Sequence, residues 1–265
     1  MIDLDLLVNI VEKAGEEAMR FHGDLSKTDI EIKSDDTPVT KADFAAHKLI
    51  ISLLETHFPE IPRLSEESSQ DVFDKRLYFD RYFLIDPIDG TKEFIKISGE
   101  FTVNIAYIEG HQVIAGVVGL PAKNEVFFGT RKESFVKRDA EILKLPLEPF
   151  DKRCLRVVSS KSHPNKETDQ YILNLRNKFE KVESLQFGSS LKICKVAEGV
   201  ADLNPRLGGT SEWDIAAAHA VLLGAGGNIL EIESGKEVLY NKESLLNPHY
   251  EARRKELLGF NFIKS

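Results

Sequence analysis

Cysteine is scarce: two residues, Cys154 and Cys194, in a chain of 265. They lie far apart, in no metal-ligand spacing, and are too few for a disulfide framework. The chain therefore reads as one that folds on its own core in a reducing compartment. Positive charge is also in deficit, with 35 Lys and Arg against 43 Asp and Glu and a net charge of −8. That balance argues against general binding to nucleic acid or to an anionic membrane. An anionic small molecule stays open where bound cations reverse the local field. Long apolar runs are missing, and the N-terminus carries Asp3 and Asp5 where a leader would be basic. Neither a signal peptide nor a membrane span is expected. The expected location is cytoplasmic, with peripheral attachment at the inner membrane as the alternative. No repeat stands out. No P-loop, His-Glu-x-x-His, Gly-x-Ser-x-Gly or Cys-x5-Arg pattern occurs, so a covalent Ser or Cys enzyme has little support. Gly224-Ala225-Gly226-Gly227 ends a helical pattern instead of opening one, which excludes a dinucleotide fingerprint.

What is present is one dense stretch, residues 82–94. Tyr82, Phe83, Leu84 and Ile85 run straight into Asp86, as in a buried strand that delivers a carboxylate at its end. Pro87 is expected to turn the chain there. Asp89 follows, Gly90 permits a tight turn, and Thr91 adds a hydroxyl. Two carboxylates on one rigid segment repel each other unless a cation sits between them, and Mg²⁺ suits oxygen ligands of this kind. An ordinary surface Asp-Pro, Asp-Gly turn is the bland alternative. An EF-hand is excluded, because Ile88, Gly90 and Ile97 occupy its ligand positions. An aspartyl nucleophile of the Asp-x-Asp type fails at Ile88. A second acid, Asp214, opens the helical segment 214–223, where it is either a cap or a ligand.

Along the chain, residues 5–21 pattern as an amphipathic helix with Leu4, Leu7, Val11, Ala14, Ala18 and Phe21 on one stripe. Thr40 looks like the N-cap of a helix to Phe58, with Asp43 three residues on and Phe44, His47, Ile51, Leu54 and Phe58 inward. His47 reads as a satisfied core histidine. Residues 64–68, with Glu66 and Glu67, read as a loop. Strands follow at about 101–107, half-buried by their alternation, and at 113–120, 126–129 and 134–136, an antiparallel meander. A linker is expected near Pro146 and Pro149. Beyond it come strands at 155–159, 201–204 and 228–232 and helices at 166–179, 189–198 and 214–223. The division is an N-terminal α+β domain, residues 1–148, and a C-terminal α/β domain, residues 149–265, with pockets favoured between them.

Glu66-Glu67, the run Asp86 to Thr91, and Trp213-Asp214 with Ala225-Gly226-Gly227 together resemble the three signatures of the inositol monophosphatase superfamily, in the right order and across nearly the whole chain. Within it, Thr37 to Thr40, Gly90 to Ile95, Gly99 to Ile105, Ser160 to His163 and Gly188 to Lys192 are similar to the bacterial 3′(2′),5′-bisphosphate nucleotidase branch of sulfate assimilation. The resemblance implies a layered α/β/α/β/α sandwich and a lithium-sensitive, metal-dependent phosphomonoesterase. It implies that Glu66, Asp86, Asp89, Asp214 and the Ile88 carbonyl hold two or three Mg²⁺ ions. It implies that Asp43 and Thr91, with Glu66, form the catalytic set and orient the attacking water. It implies that Gly90, Thr91, His163, Ser189, Lys192 and Arg206 contact the substrate, here the 3′-phosphate ester of adenosine 3′,5′-bisphosphate. His47 stands where many relatives have Glu. The expected partner is a small phosphorylated nucleotide, bound by a monomer or homodimer. Inositol monophosphatase or fructose-1,6-bisphosphatase activity is the enzymatic alternative, and a non-catalytic phospholigand-binding protein is the other.

Overall fold

The computed structural model describes residues 2–23, 30–32, 38–161, 165–260 and 262. Helix α1 (Leu4–Met19) begins at Asp3, whose side chain accepts from the Leu6 N–H at 3.0 Å. Leu7, Val8, Ile10, Val11, Ala14 and Ala18 are buried, while Leu4 and Phe21 reach only half-burial. Strands β1 (Ile30–Ile32) and β2 (Pro38–Thr40) form a small antiparallel ribbon. It leads into α2 (Lys41–His57). The inward face of α2 differs from the expected stripe. Phe44 is 39% exposed; Leu54 is buried as expected, but Ala42, Asp43, Ala46 and Ile50 are the other buried residues. Two adjacent faces share the three-four spacing, and the smaller residues face inward where α2 lies against α1. His47 is half-buried and its Nδ1 is 2.9 Å from Ser65 Oγ, so a polar partner satisfies it.

Next come β3 (Arg63–Ser65), α3 (Gln70–Lys75), β4 (Arg81–Asp89), α4 (Thr91–Ile95), β5 (Thr102–Glu109), β6 (Gln112–Leu120), β7 (Glu125–Thr130), β8 (Ser134–Arg138) and β9 (Glu141–Lys144). The seven strands form one sheet in sequence order, antiparallel throughout except that β3 runs parallel to β4. The expected loop before Glu66 is thus a short strand, with Ser65 paired to Ile85. The half-buried reading of β5 also gives way, since Thr102 to Ile108 are buried on both faces. Strand β9 carries no periodic signal and was outside expectation.

The second half contains β10 (Cys154–Ser160), α5 (Lys166–Leu175), β11 (Lys181–Phe187), α6 (Leu191–Glu198), β12 (Leu203–Arg206), α7 (Glu212–Gly224), β13 (Asn228–Glu231) and β14 (Tyr250–Arg253). Its sheet has the order β11-β10-β12-β14-β13. Helix α5 stops four residues before the expected end at Phe179. Gly199, at φ +93°, closes α6 in the left-handed conformation that glycine takes without penalty.

Strand parity explains the layers. Phe83, Ile85, Val103, Ile105, Val117 and Phe128 share a core with α1 and α2. The intervening residues Tyr82, Leu84, Ala106, Val118 and Phe127 pack instead with α6, α7 and the inner face of the second sheet. The outer face of that sheet, with Leu155, Val157 and Leu203, packs on Ile172 and Leu175 of α5. The result is α1 and α2, the seven-stranded sheet, α6 and α7, the five-stranded sheet, and α5: a layered α/β/α/β/α sandwich. Helix α7 is apolar on all sides because it lies between two sheets, as its buried run Ile215 to Leu222 requires. Among the described residues no helix is long and apolar enough to cross a membrane.

Candidate active site

The site begins with an irregularity in β4. Asp86 pairs with Asn104 and Asp89 with Thr102, so three steps on β4 match two on β5. A regular strand would send residues an odd number apart to opposite faces. The one-residue bulge restores parity and turns both carboxylates toward the α6–α7 layer. Pro87 lies within it, where no ladder N–H is needed. The chain therefore does not turn away at Pro87, as the sequence suggests, but stays in the sheet as far as Asp89.

Neighbouring elements bring the other acids. The β3–β4 pairing leaves Glu66 next to Asp86, with the Glu66 N–H donating to Ile85 O at 3.0 Å. Asp214 sits in the first turn of α7. That helix is seated on β6 at Gly116, where a Cβ would lie 2.3 Å from the Ala217 carbonyl oxygen, so only glycine fits. One oxygen from each of Asp86, Asp89 and Asp214 lies within 4.8 Å of the others.

Each aspartate is pinned by one backbone amide. Asp86 Oδ1 accepts from the Ile88 N–H at 3.1 Å. Asp89 Oδ2 accepts from the Ser190 N–H. Asp214 Oδ2 accepts from the Ser211 N–H at 2.7 Å, and Asp43 Oδ2 from the Thr40 N–H at 2.8 Å. Asp214 and Asp43 are both the third residue of a capping box. The capping and ligand readings of Asp214 thus coexist.

No ion pair with a Lys or Arg involves Asp86, Asp89 or Asp214 among the described residues. Burial and the neighbouring acids Glu66, Asp89 and Asp214 push the Asp86 carboxyl well above its usual range. Burial, then Asp89 and Glu66, do the same to Asp214. Asp89 rises to about 6, through burial opposed by the Lys192 charge. Asp43 rises to about 7, mainly by burial. Hard oxygen donors crowded together without a counter-charge are the donor set that a divalent cation such as Mg²⁺ satisfies.

A cavity of about 270 Å³ opens over this cluster. Glu66, Asp86, Ile88, Asp89, Gly90, Thr91, Ser189, Lys192, Arg206 and Asp214 all line it, so ten residues singled out from the sequence converge. Gly90 takes φ +88° to start α4, and the Thr91 hydroxyl donates to Ile88 O at 3.4 Å. On the facing wall the Ser189 hydroxyl donates to Glu100 O at 2.8 Å, and Lys192 Nζ donates to Ser189 O at 2.5 Å. Arg206 donates from one terminal nitrogen to Gly209 O at 3.2 Å, while its Nε is buried without a partner. Asp43 is not on the cavity wall. Its carboxylate is held by Thr40, whose hydroxyl donates at 2.6 Å, and its described hydrogen bonds do not include Thr91. His163 lies outside the described residues.

The cavity also includes residues that the sequence did not single out: Glu93, Ser160, Thr210, Ile215 and Tyr250. Tyr250 sits on β14, whose four residues Tyr250 to Arg253 are too short and too charged to announce a buried strand. Glu93 comes two residues after the Asp-Gly-Thr run, and only its near-complete burial distinguishes it from a surface acid.

The family model "Inositol monophosphatase family" matches residues 4–259. The 3′(2′),5′-bisphosphate nucleotidase CysQ of Shigella flexneri is 41% identical over 248 residues, covering 93% of this chain and 98% of that protein. Its namesake in Escherichia coli strain K12 is 40% identical, with the same coverage. Among solved structures, CysQ from Bacteroides thetaiotaomicron, a bacterial member of the same family, superposes with a TM-score of 0.83 at 35% identity, over 95% of this chain and 96% of that one. The Thermotoga maritima IMPase shares the fold, with a TM-score of 0.74 at 24% identity over 97% and 94% of the two chains. On sequence, fold and the convergence of its acidic motifs, this chain belongs to the inositol monophosphatase family.

Proposed function

We propose that this protein is a Mg²⁺-dependent phosphomonoesterase that removes the 3′-phosphate of adenosine 3′,5′-bisphosphate, giving AMP and phosphate. The observation that carries the reading is the pairing, in one cavity, of an acid cluster with no ion pair to Lys or Arg among the described residues and, on the facing wall, Lys192 and Arg206. The names borne by relatives at about 40% identity support the nucleotide over other phosphate esters.

Glu66, Asp86, Asp89, Asp214 and the Ile88 carbonyl would hold two or three ions. When bound, Mg²⁺ neutralises the phosphate dianion, acidifies water and stabilises the leaving oxygen. Thr91, with Glu66, orients the attacking water on the acid side of the cavity, and Asp43, held by Thr40 behind that wall, completes the catalytic set. Asp43 has a proton affinity near neutrality, which suits an acceptor of hydrogen bonds from water at physiological pH. On the other side, Lys192 attracts the second phosphate as a point charge, and Arg206 holds it through its planar fork. Ser189 and Gly90 line the space between. Bond making and breaking needs no protein nucleophile, which agrees with a wall of Asp, Glu and Thr.

Phosphate release from adenosine 3′,5′-bisphosphate, AMP, inositol 1-phosphate and fructose 1,6-bisphosphate, side by side with Mg²⁺ or EDTA, tests this. The bisphosphate nucleotide should be strongly preferred and EDTA should abolish turnover. Equal or faster release from inositol 1-phosphate would reassign the substrate. Full activity in EDTA would remove the metal from the reaction.

A further inference from the structure

Glu93 is 4% exposed and lines the cavity, and among the described residues no hydrogen bond or ion pair engages its carboxylate. A carboxylate turned into a cavity without a protein partner is free to accept hydrogen bonds from whatever occupies that cavity. Its surroundings locate it. A Cβ added at Gly90 would lie 3.1 Å from Glu93 Oε2 and 3.3 Å from Ser189 Cβ. A Cβ at Gly188 would lie 2.7 Å from Glu93 Cγ, so that glycine leaves room for the Glu93 stem. The Glu93 charge favours the cationic form of Lys192 and disfavours the anionic form of Asp89, so it is felt from both walls. Glu93 therefore stands between the acid cluster that starts at Asp89 and the basic wall that starts at Ser189.

On the reading above, the scissile phosphate lies at the acid cluster and the second phosphate near Lys192 and Arg206. The sugar that joins them must then cross the space beside Glu93. A carboxylate there repels phosphate and can only accept hydrogen bonds. We propose that Glu93 is a specificity-determining residue: its carboxylate accepts a hydrogen bond from the free hydroxyl vicinal to the scissile phosphate ester, the ribose 2′-OH. This rests on the nucleotidase reading and adds to it a residue that selects ribonucleotides and excludes a further phosphate at the 2′ position. The likeness of Gln to Glu in shape makes Glu93→Gln a conservative control, because the amide oxygen still accepts.

The experiment compares adenosine 3′,5′-bisphosphate with its 2′-deoxy analogue in the wild type, Glu93→Ala and Glu93→Gln, each checked for an unchanged melting temperature. A hydrogen bond to a charged group gives a preference of about 10- to 100-fold in kcat/KM for the ribonucleotide in the wild type. Glu93→Ala should bring that ratio close to 1 by losing turnover of the ribonucleotide alone, and Glu93→Gln should retain part of it. A wild type that does not distinguish the two nucleotides, or a Glu93→Ala variant that loses both equally, overturns the assignment and leaves the nucleotidase reading standing. If the wild type cleaves neither nucleotide but does cleave inositol 1-phosphate, both fall together.

Discussion

Asp89, the last residue of β4, accepts a hydrogen bond from the backbone N–H of Ser190, the N-cap of α6. The same Ser190 donates its hydroxyl to Asn104 Oδ1 at 2.9 Å and lies 2.8 Å from Thr102 Oγ1. Asp89 thus ties the first sheet to the helix carrying Lys192. Asp86, in contrast, bonds only within its own turn, to Ile88. Asp89→Ala should therefore cost both activity and about 1–3 kcal/mol of stability, the range for a buried charge-assisted hydrogen bond. Asp86→Asn should cut turnover at least about a hundredfold yet melt, in EDTA, at or above the wild-type temperature, since it removes a repelled charge. Phosphate-release assays and thermal melts on the two variants check this. Equal loss of stability in both would contradict it.

Stability without metal should depend on pH in a direction opposite to that of most acidic proteins. A carboxyl whose folded pKa is raised binds a proton in the fold that the unfolded chain has already released. Stability then falls as pH rises from the ordinary carboxylate value, near 4, through the raised one. For Asp89 that window closes at about 6 and for Asp43 at about 7, with Asp86 and Asp214 raised in the same sense. Three histidines oppose them. Burial lowers His219 to about 4 and lowers His22 and His47 in the same sense, so their contributions are complete above 6.5 and decline in acid. In EDTA the melting temperature should drop between pH 5 and pH 8, and Mg²⁺ should restore more of it at pH 8, because binding requires deprotonated acids. A melting temperature that climbs over this range in EDTA would refute the prediction.

The first turn of helix α2 holds a residue that the proposed chemistry also uses, Asp43. Thr40→Ala removes one donor to Asp43 and the cap to the Ala42 N–H, and should cost about 1 kcal/mol. Asp43→Asn keeps an oxygen for the Thr40 N–H, so it should lose far more activity than stability. Denaturant melts run beside steady-state kinetics separate the two. A stable Asp43→Asn variant with near wild-type kcat would leave Asp43 as a capping residue alone.

Gly116→Ala should destabilise the protein by about 3 kcal/mol or more, because the new methyl meets the fixed Ala217 carbonyl and not a movable side chain. It should also weaken Mg²⁺ affinity, since Asp214 rides on the displaced helix. A titration of Mg²⁺ by calorimetry reads this directly, and unchanged affinity in a destabilised variant would show that α7 shifts without moving its first turn.

The acid cluster was legible because its members sit at strongly punctuated places: an apolar strand running into Asp86, a tight turn at Gly90, and a helix beginning around Asp214. The two-layer parity of the first sheet was legible in part. Its alternation looks half-buried for β5, since Thr102, Asn104 and Ala106 are small or polar, yet they face a second core. The short strands β3, β9, β11 and β14 left little trace, because three to seven residues rich in Lys, Arg and Glu have no periodicity to read. The face of α2 was misjudged because Phe44 outweighs Ala42 and Ala46 on any hydrophobic scale, although the alanines are what fit. The bulge at Pro87 could be read only as a break, since proline marks a disrupted ladder and does not say whether the strand resumes.

Four acids, Asp43, Asp86, Asp89 and Asp214, each carry a backbone amide on the carboxylate, from Thr40, Ile88, Ser190 and Ser211. These amides belong to the main chain, so no single side-chain replacement nearby releases them. The rotamer entropy of the four acids is thus surrendered when the chain folds and not when a cation or substrate arrives. Ligand binding meets carboxylates already narrowed to one orientation, each with one oxygen committed and the other left for chemistry. Drift of the site under neutral mutation is limited in the same way: the surrounding side chains can vary while the main chain keeps the acids aimed.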